Sequence, residues 1–234
     1  MNYFSYYYLS NYYYFILVVP VLIISLIASA RVNSSFNKYS KVLSSRNLTG
    51  AQAAFEVLRY YGITNVQIEK VTGKLTDHYD PRTNVIRLSD SVYNSTSVAA
   101  IGVACHEAGH AAQYAQSYVP IKIRNLVLPA ANLGSRAGFP LALIGFLLNF
   151  EFLAIAGIAF FSFAVLFQLV TLPVEFNASK RALNVISEVD ILSVDEKAGA
   201  KKVLTAAAMT YVAALAVSIA NLLRLILMFN RKRR

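Results

Sequence analysis

Residues 97–118 read SVAAIGVACHEAGHAAQYAQSY, and the reading of the whole chain turns on them. The residues ahead of the first histidine are apolar (Val98, Ala99, Ala100, Ile101, Val103, Ala104), as in a buried helix. A helix is therefore predicted from Ser97 to about Tyr118, with Pro120 stopping it. Inside it, His106-Glu107-Ala108-Gly109-His110 is an H-E-x-x-H motif. Helical residues four apart share a face, so both imidazoles can point at one ion. Glu107 projects beside that ion, where a carboxylate can take a proton from water. Zinc suits such a pair, because it lowers the pKa of its water to about 7 and polarises the carbonyl under attack. A chance match on a helix is the plain alternative. Against it, two of the chain's three histidines fall in the motif, on a predicted helix rather than a loop.

Outward from this helix, charged and apolar blocks alternate. Hydrophobic residues make up 56% of the 234 and charged residues 15%, well under the roughly 25% of a typical soluble domain. That deficit points to lipid. Residues 1–30 carry no charge, and Tyr12 to Ala30 is long enough to cross a bilayer, which takes about 20 apolar residues. Tyr3, Tyr6, Tyr7, Tyr8, Tyr12, Tyr13 and Tyr14 fit an interfacial aromatic belt. The absence of a basic stretch before the apolar run favours a retained anchor over a signal peptide.

Residues 31–123 hold all three histidines, ten Lys/Arg and six Asp/Glu, and form the water-facing catalytic region. There Gly50 to Tyr61 reads as an amphipathic helix closed by Gly62. Asn65 to Val71 and Asn84 to Leu88 read as strands, with Asp80-Pro81-Arg82-Thr83-Asn84 carrying the turn between them. Residues 124–173 are apolar again. Leu126 to Leu148 and Phe152 to Leu172 predict a transmembrane hairpin turning at Asn149 to Glu151. Arg136 inside its first arm should face protein, a polar cavity or an interface. Residues 174–203 return to charged helix. Residues 204–234 hold a last apolar stretch, interrupted by Arg224, and a basic tail from Arg231 to Arg234.

A catalytic zinc takes three protein ligands. His78 is the remaining histidine, and among carboxylates Glu175 is the best placed. It opens a charged helix directly after Pro173, and a two-span hairpin returns the chain to the side it left. An acidic residue favoured at a helix N-terminus is the bland reading of Glu175, and both can hold at once.

Three segments carry a family resemblance: GKLTDHYDPRTNVIRLSDSVYNSTSVAAIGVACHEAGHAAQYAQ at 73–116, TLPVEFNASKRAL at 171–183 and KKVLTAAAMTYVAA at 201–214. They resemble the YugP-type membrane zinc metallopeptidases, over nearly all of the chain after residue 45. A more distant similarity is to HtpX-type membrane proteases, which place a membrane hairpin between two zinc-binding helices. The resemblance implies a bacterial integral membrane protein with a gluzincin-like site. There His106, His110 and Glu175 hold one zinc ion and Glu107 is the base. The chain departs from the family pattern at Asn177, where an acidic residue is usual two positions after the ligand glutamate; this bears on the ligands' surroundings rather than on the ligands.

Other residues have two readings each. His78 and Tyr79, before the Asp80-Pro81 turn, could stabilise an oxyanion or contact substrate, or form a surface loop with a packed tyrosine. Arg181 could pair with Glu175 or a substrate carboxylate, although solvated helix charge explains most such residues. Cys105 lies about 100° around the helix from His106 and reads as a small core residue.

The expected class is a mainly α membrane protein, with about four hydrophobic helices around a small zincin-like α+β catalytic region. The expected function is endoproteolysis of membrane-associated or misfolded proteins, with residues 84–88 aligning an extended substrate by strand addition. The alternative is an inactive zinc-stabilised membrane adaptor; the intact Glu107 speaks against it. The net charge of +10 matches anionic lipid headgroups, and no nucleic-acid motif accompanies it. Polypeptide substrates and the bilayer are the expected partners, with a second copy or a membrane partner protein left open. Arg31, Lys38, Lys41 and Arg46 follow the first span with nothing basic before it, which assigns the catalytic region to the cytoplasm.

Overall fold

The computed structural model describes residues 12–73 and 75–232. Tyr3, Tyr6, Tyr7 and Tyr8 of the expected aromatic belt lie outside the described residues, as do Arg233 and Arg234 of the basic tail. The chain is mostly helical, with one three-stranded sheet. Its helices are α1 (Val19–Tyr39), entered through a π-helical turn at Tyr14–Val18, α2 (Gly50–Tyr60), α3 (Val98–Ala115), α4 (Val119–Leu133), α5 (Phe139–Leu147), α6 (Glu151–Glu188) and α7 (Val194–Lys232). The strands are β1 (Gln67–Val71), β2 (His78–Asp80) and β3 (Val85–Ser89).

Among the described residues, three helices are long and apolar enough to cross a membrane: Tyr14–Tyr39, Glu151–Glu188 and Val194–Asn230. Residues 126–148, the expected fourth, run through α4, a π-helical turn at Gly134–Gly138 and α5, with right-handed helical backbone at Leu133, Gly138 and Phe139. The π-helical turn has a local cause. Pro140 has no N–H to give the carbonyl of Arg136 one turn back, so the ladder loses a bond there and the register widens. A correction concerns Pro173. It lies inside the unbroken α6, so Glu175 sits on a continuing helix and does not open a new one. The turn expected at Asn149 to Glu151 is present: Asn149 takes φ 60° between the end of α5 and the start of α6.

Two compact units make up the chain. The first comprises Met1–Ala28, Lys122–Leu172 and Thr210–Arg234. Its core joins Ala142, Phe146, Ala154, Leu225 and Met228. α5 and α6 meet backbone to backbone: a Cβ on Gly145 would stand 2.3 Å from the Ala154 nitrogen, and one on Gly157 would stand 2.2 Å from the Ala142 nitrogen. Arg224, the charge inside the last apolar stretch, lies over the rings of Tyr14 at 5.0 Å and Phe139 at 5.8 Å. Arg136 is exposed on the π-helical turn, so it does not face a protein interior.

The second unit comprises Ser29–Ile121 and Pro173–Met209. α2 begins at a capping box in which Thr49 Oγ1 accepts from the Gln52 N–H and Gln52 Oε1 accepts from the Thr49 N–H. Its exit passes through Gly62 at φ 66°, a backbone form that glycine adopts without penalty. The sheet order is β1-β3-β2, with β1 parallel and β2 antiparallel to β3. The Asp80 to Asn84 turn therefore joins β2 to β3, and not β1 to β3 as expected. β3 is central, and Val85, Ile86, Leu88 and Ser89 on it are buried. α3 starts at Ser97, whose hydroxyl accepts from the Ala100 N–H, and Pro120 is the second residue of α4 rather than only a stop. Leu58, Ile86, Ile101, Ile186 and Leu204 tie α2, the sheet, α3, α6 and α7 into one core.

Candidate active site

The site lies wholly in the second unit, where α3 meets the C-terminal part of α6. The approach is close because position 109 has no side chain. A Cβ on Gly109 would stand 2.6 Å from the Ala178 carbonyl oxygen, inside any tolerable contact, so only glycine lets the two backbones come this near. That contact brings Glu175, one turn before Ala178, against the face of α3 that carries both histidines.

His106 Nε2 lies 3.4 Å and His110 Nε2 3.5 Å from the same oxygen, Glu175 Oε2. The two rings stand edge to face with centroids 4.7 Å apart. One ligand atom from each of His106, His110 and Glu175 falls within 4.8 Å of the other two. Glu175 is only 4% exposed, yet Oε2 is buried without a hydrogen bond. A buried carboxylate oxygen left bare is costly unless a cation meets it. Two imidazole nitrogens and one carboxylate oxygen converging on a point are the donor set that zinc prefers, with a fourth position left for water.

The far side of each ring is also held. Gln113, completely buried, donates through Nε2 to the Val174 carbonyl at 2.7 Å and to Asn177 Oδ1 at 3.0 Å. A carbonyl can only accept, so the amide orientation is fixed and Oε1 faces His110 Nδ1 at 3.0 Å. Nδ1 therefore carries the proton, and Nε2 of the neutral ring presents its lone pair towards Glu175. Ser179 Oγ sits 3.1 Å from His106 Nδ1 and holds the orientation of the other ring, as a hydroxyl that can either donate or accept. At His110 burial opposes the charged form, but the carboxylate of Glu175, the charge of Glu107 and the Gln113 bond outweigh it and raise its pKa above the ordinary histidine value.

Glu107 is 8% exposed, and its Oε2 accepts the main-chain N–H of Tyr79 at 3.1 Å. β2 thus anchors the carboxylate next to His106. The Tyr79 side chain turns elsewhere: its hydroxyl donates to Asn84 Oδ1 at 2.8 Å and its ring lies edge-on to Tyr114. His78 is exposed, with Nδ1 donating to the Thr76 carbonyl at 2.8 Å. Arg181 does not pair with Glu175. Its Nε donates to Asn177 Oδ1 at 2.7 Å, its Nη1 donates to Gln116, and its guanidinium lies 5.8 Å from each of the Tyr61 and Tyr118 rings. A polar chain from Arg181 through Asn177 and Gln113 therefore ends on His110. Asn177, where the family pattern has an acid, accepts from both neighbours in this chain. Cys105 is buried in the core on the other face of α3, and burial raises its thiol pKa beyond the ordinary range.

Sequence reasoning missed Gln113 and Ser179. The available signal was spacing: Gln113 follows His110 by three residues and Ser179 follows Glu175 by four, and both intervals keep a side chain on the ligand's face. The expected role of residues 84–88 in strand addition is corrected, because β3 has a neighbour on each side. The outer strands are β1 and β2, and β2 already gives its Tyr79 N–H to Glu107.

Comparison with known proteins identifies a family. The sequence matches the family described as "Putative neutral zinc metallopeptidase" over residues 14–230. It is similar to the "Putative membrane protease YugP" of Bacillus subtilis (strain 168), at 47% identity over 206 residues, which cover 88% of this chain and 92% of that protein. No solved structure matches.

Proposed function

The chain belongs to the neutral zinc metallopeptidase family, and from that premise we propose that it is a membrane-embedded zinc-dependent endopeptidase with a gluzincin-like site. His106, His110 and Glu175 are the ligands of a single zinc ion and Glu107 is the general base. The observation that carries the reading is the bare Glu175 Oε2 facing two imidazole Nε2 atoms at 3.4 and 3.5 Å. When bound, zinc supplies Lewis acidity to the carbonyl under attack and makes water a competent nucleophile near neutral pH. Glu107, fixed through the Tyr79 N–H, takes a proton from the attacking water and delivers it to the departing amine. Gln113 keeps His110 in the ligating tautomer, and Gln113 and Ser179 hold the two imidazoles in orientation. Membrane-associated or misfolded proteins are the substrate class, because a site flanked in the chain by apolar helices meets such polypeptides first.

Purified wild type and Glu107→Gln, analysed for zinc and then incubated with an unfolded membrane protein, test this assignment. About one zinc per chain is expected in both, with cleavage by wild type alone. Equal cleavage by both would overturn the base assignment; zinc in both with cleavage by neither would favour a zinc-stabilised adaptor. The catalytic unit faces the cytoplasm, supported by Arg31, Lys38, Lys41 and Arg46 after the first span. A reporter fused after residue 45 should be active only in its cytoplasmic form, and an externally active fusion would reverse the orientation.

A further inference from the structure

A second feature of the second unit borders the site on α6 and shares Ser179 with it. There α6 and α7 enclose a cavity of about 360 Å³. Phe176, Lys180 and Leu183 line it from α6, and Lys201, Leu204 and Ala208 from α7, each set at the spacing of a single helix face. Lys197 adds a third ammonium group and donates to Ser187 Oγ. No carboxylate is in the lining. The cavity coincides with the points where both helices change from apolar to charged. Residues 152–172 before it on α6, and 203–223 on α7, contain no charged side chain. At 1.5 Å per residue, Lys180 is about 12 Å past the end of its apolar run and Lys201 about 3 Å before the start of its own. Flexible lysine stems cover apolar surface while their ammonium groups reach the polar layer.

We propose that this cavity binds the headgroup of an anionic phospholipid. The phosphate is held among Lys180, Lys197 and Lys201, and the first methylenes of the acyl chains lie over Phe176, Leu204 and Ala208. Three cations with no anion among them call for a negative ligand, and the apolar floor calls for one that is also a lipid. A soluble anion would leave Phe176, exposed in the unliganded chain, uncovered. Ser179 lines the same cavity and sits 3.1 Å from His106 Nδ1, so the bound lipid touches a residue that orients a proposed zinc ligand.

Native mass spectrometry of the full chain in a neutral detergent, titrated with phosphatidylglycerol or phosphatidylcholine, tests the proposal. Wild type should bind one phosphatidylglycerol about tenfold or more tighter than one phosphatidylcholine. Lys180→Gln with Lys201→Gln should abolish that preference, and Lys180→Arg with Lys201→Arg should keep it. A control pair outside the cavity, Lys70→Gln with Arg82→Gln, should behave as wild type. Unchanged zinc content in every variant establishes that the fold is intact. The proposal is overturned if the Lys180→Gln/Lys201→Gln protein retains the preference, or if the control pair loses it equally. It is also overturned if inorganic phosphate or hexaglutamate displaces the lipid at lower concentration than phosphatidylglycerol itself.

Discussion

Gln113 has no ionisable group and touches no proposed substrate position, yet it decides what His110 can do. Its amide is pinned by the Val174 carbonyl and Asn177, and this leaves His110 one usable tautomer. Gln113→Leu should keep the volume of the site while releasing that constraint and stranding the Val174 carbonyl. Zinc affinity, measured by competition with a chromogenic chelator, should fall about 10–100-fold, with helical content unchanged by circular dichroism. Wild-type affinity in this variant would reduce Gln113 to a packing residue. The pair of residues inside the H-E-x-x-H motif is also informative. Gly109 is present because the Ala178 carbonyl stands where a Cβ would go, whereas Ala108 is simply buried core.

At the scale of elements, α2 rests on a cap that is entirely local. Thr49→Ala removes one half of the reciprocal pair with Gln52 and should cost about 0.5–2 kcal/mol, read as a lower thermal midpoint with zinc content unchanged; an unchanged midpoint would mean the cap contributes nothing. Such local chemistry explains what could be read from sequence. The α2 boundaries, the Asn149 turn and the α3 start at Ser97 each depend on a few neighbouring residues, and each was legible. The spacing of His106, Glu107 and His110 is itself the signal for a metal site, and Glu175 is reached through the hairpin that returns the chain to their side; the structure brings its carboxylate to both histidines. What escaped depends on partners outside the segment itself. β2 has three residues, too few for alternation to register, and it exists because β3 pairs with it. Pro173 reads as a stop because it lacks an N–H. The helix nevertheless continues, since buried Val174, Ala178, Ala182, Val185 and Ile186 hold the following turns in the core. Gln113 went unread because its partners, the Val174 carbonyl and Asn177, lie on another helix.

For the whole molecule, a ligand bound only by the native state stabilises it, by about 2.7 kcal/mol at a hundred times its Kd. Chelation should therefore lower the thermal midpoint of wild type. Glu107→Gln should show the same loss, because the base is not a ligand, while Glu175→Gln should start low and respond little to chelator. An equal response in all three would remove Glu175 from the ligand set. Family membership and three apolar helices agree with a membrane setting, and the second unit assembles from two separate stretches of chain, Ser29–Ile121 and Pro173–Met209.

That split has a consequence in time. A ribosome delivers His106, Glu107 and His110 first, then an apolar hairpin, and only afterwards Glu175, Gln113's partner Asn177, and Ser179. A nascent chain halted before position 175 holds two of the three proposed ligands and has neither ring properly braced. The proposed metal-binding set is therefore incomplete until the hairpin has been made, and any activity that depends on it can begin only after residue 179 has been added.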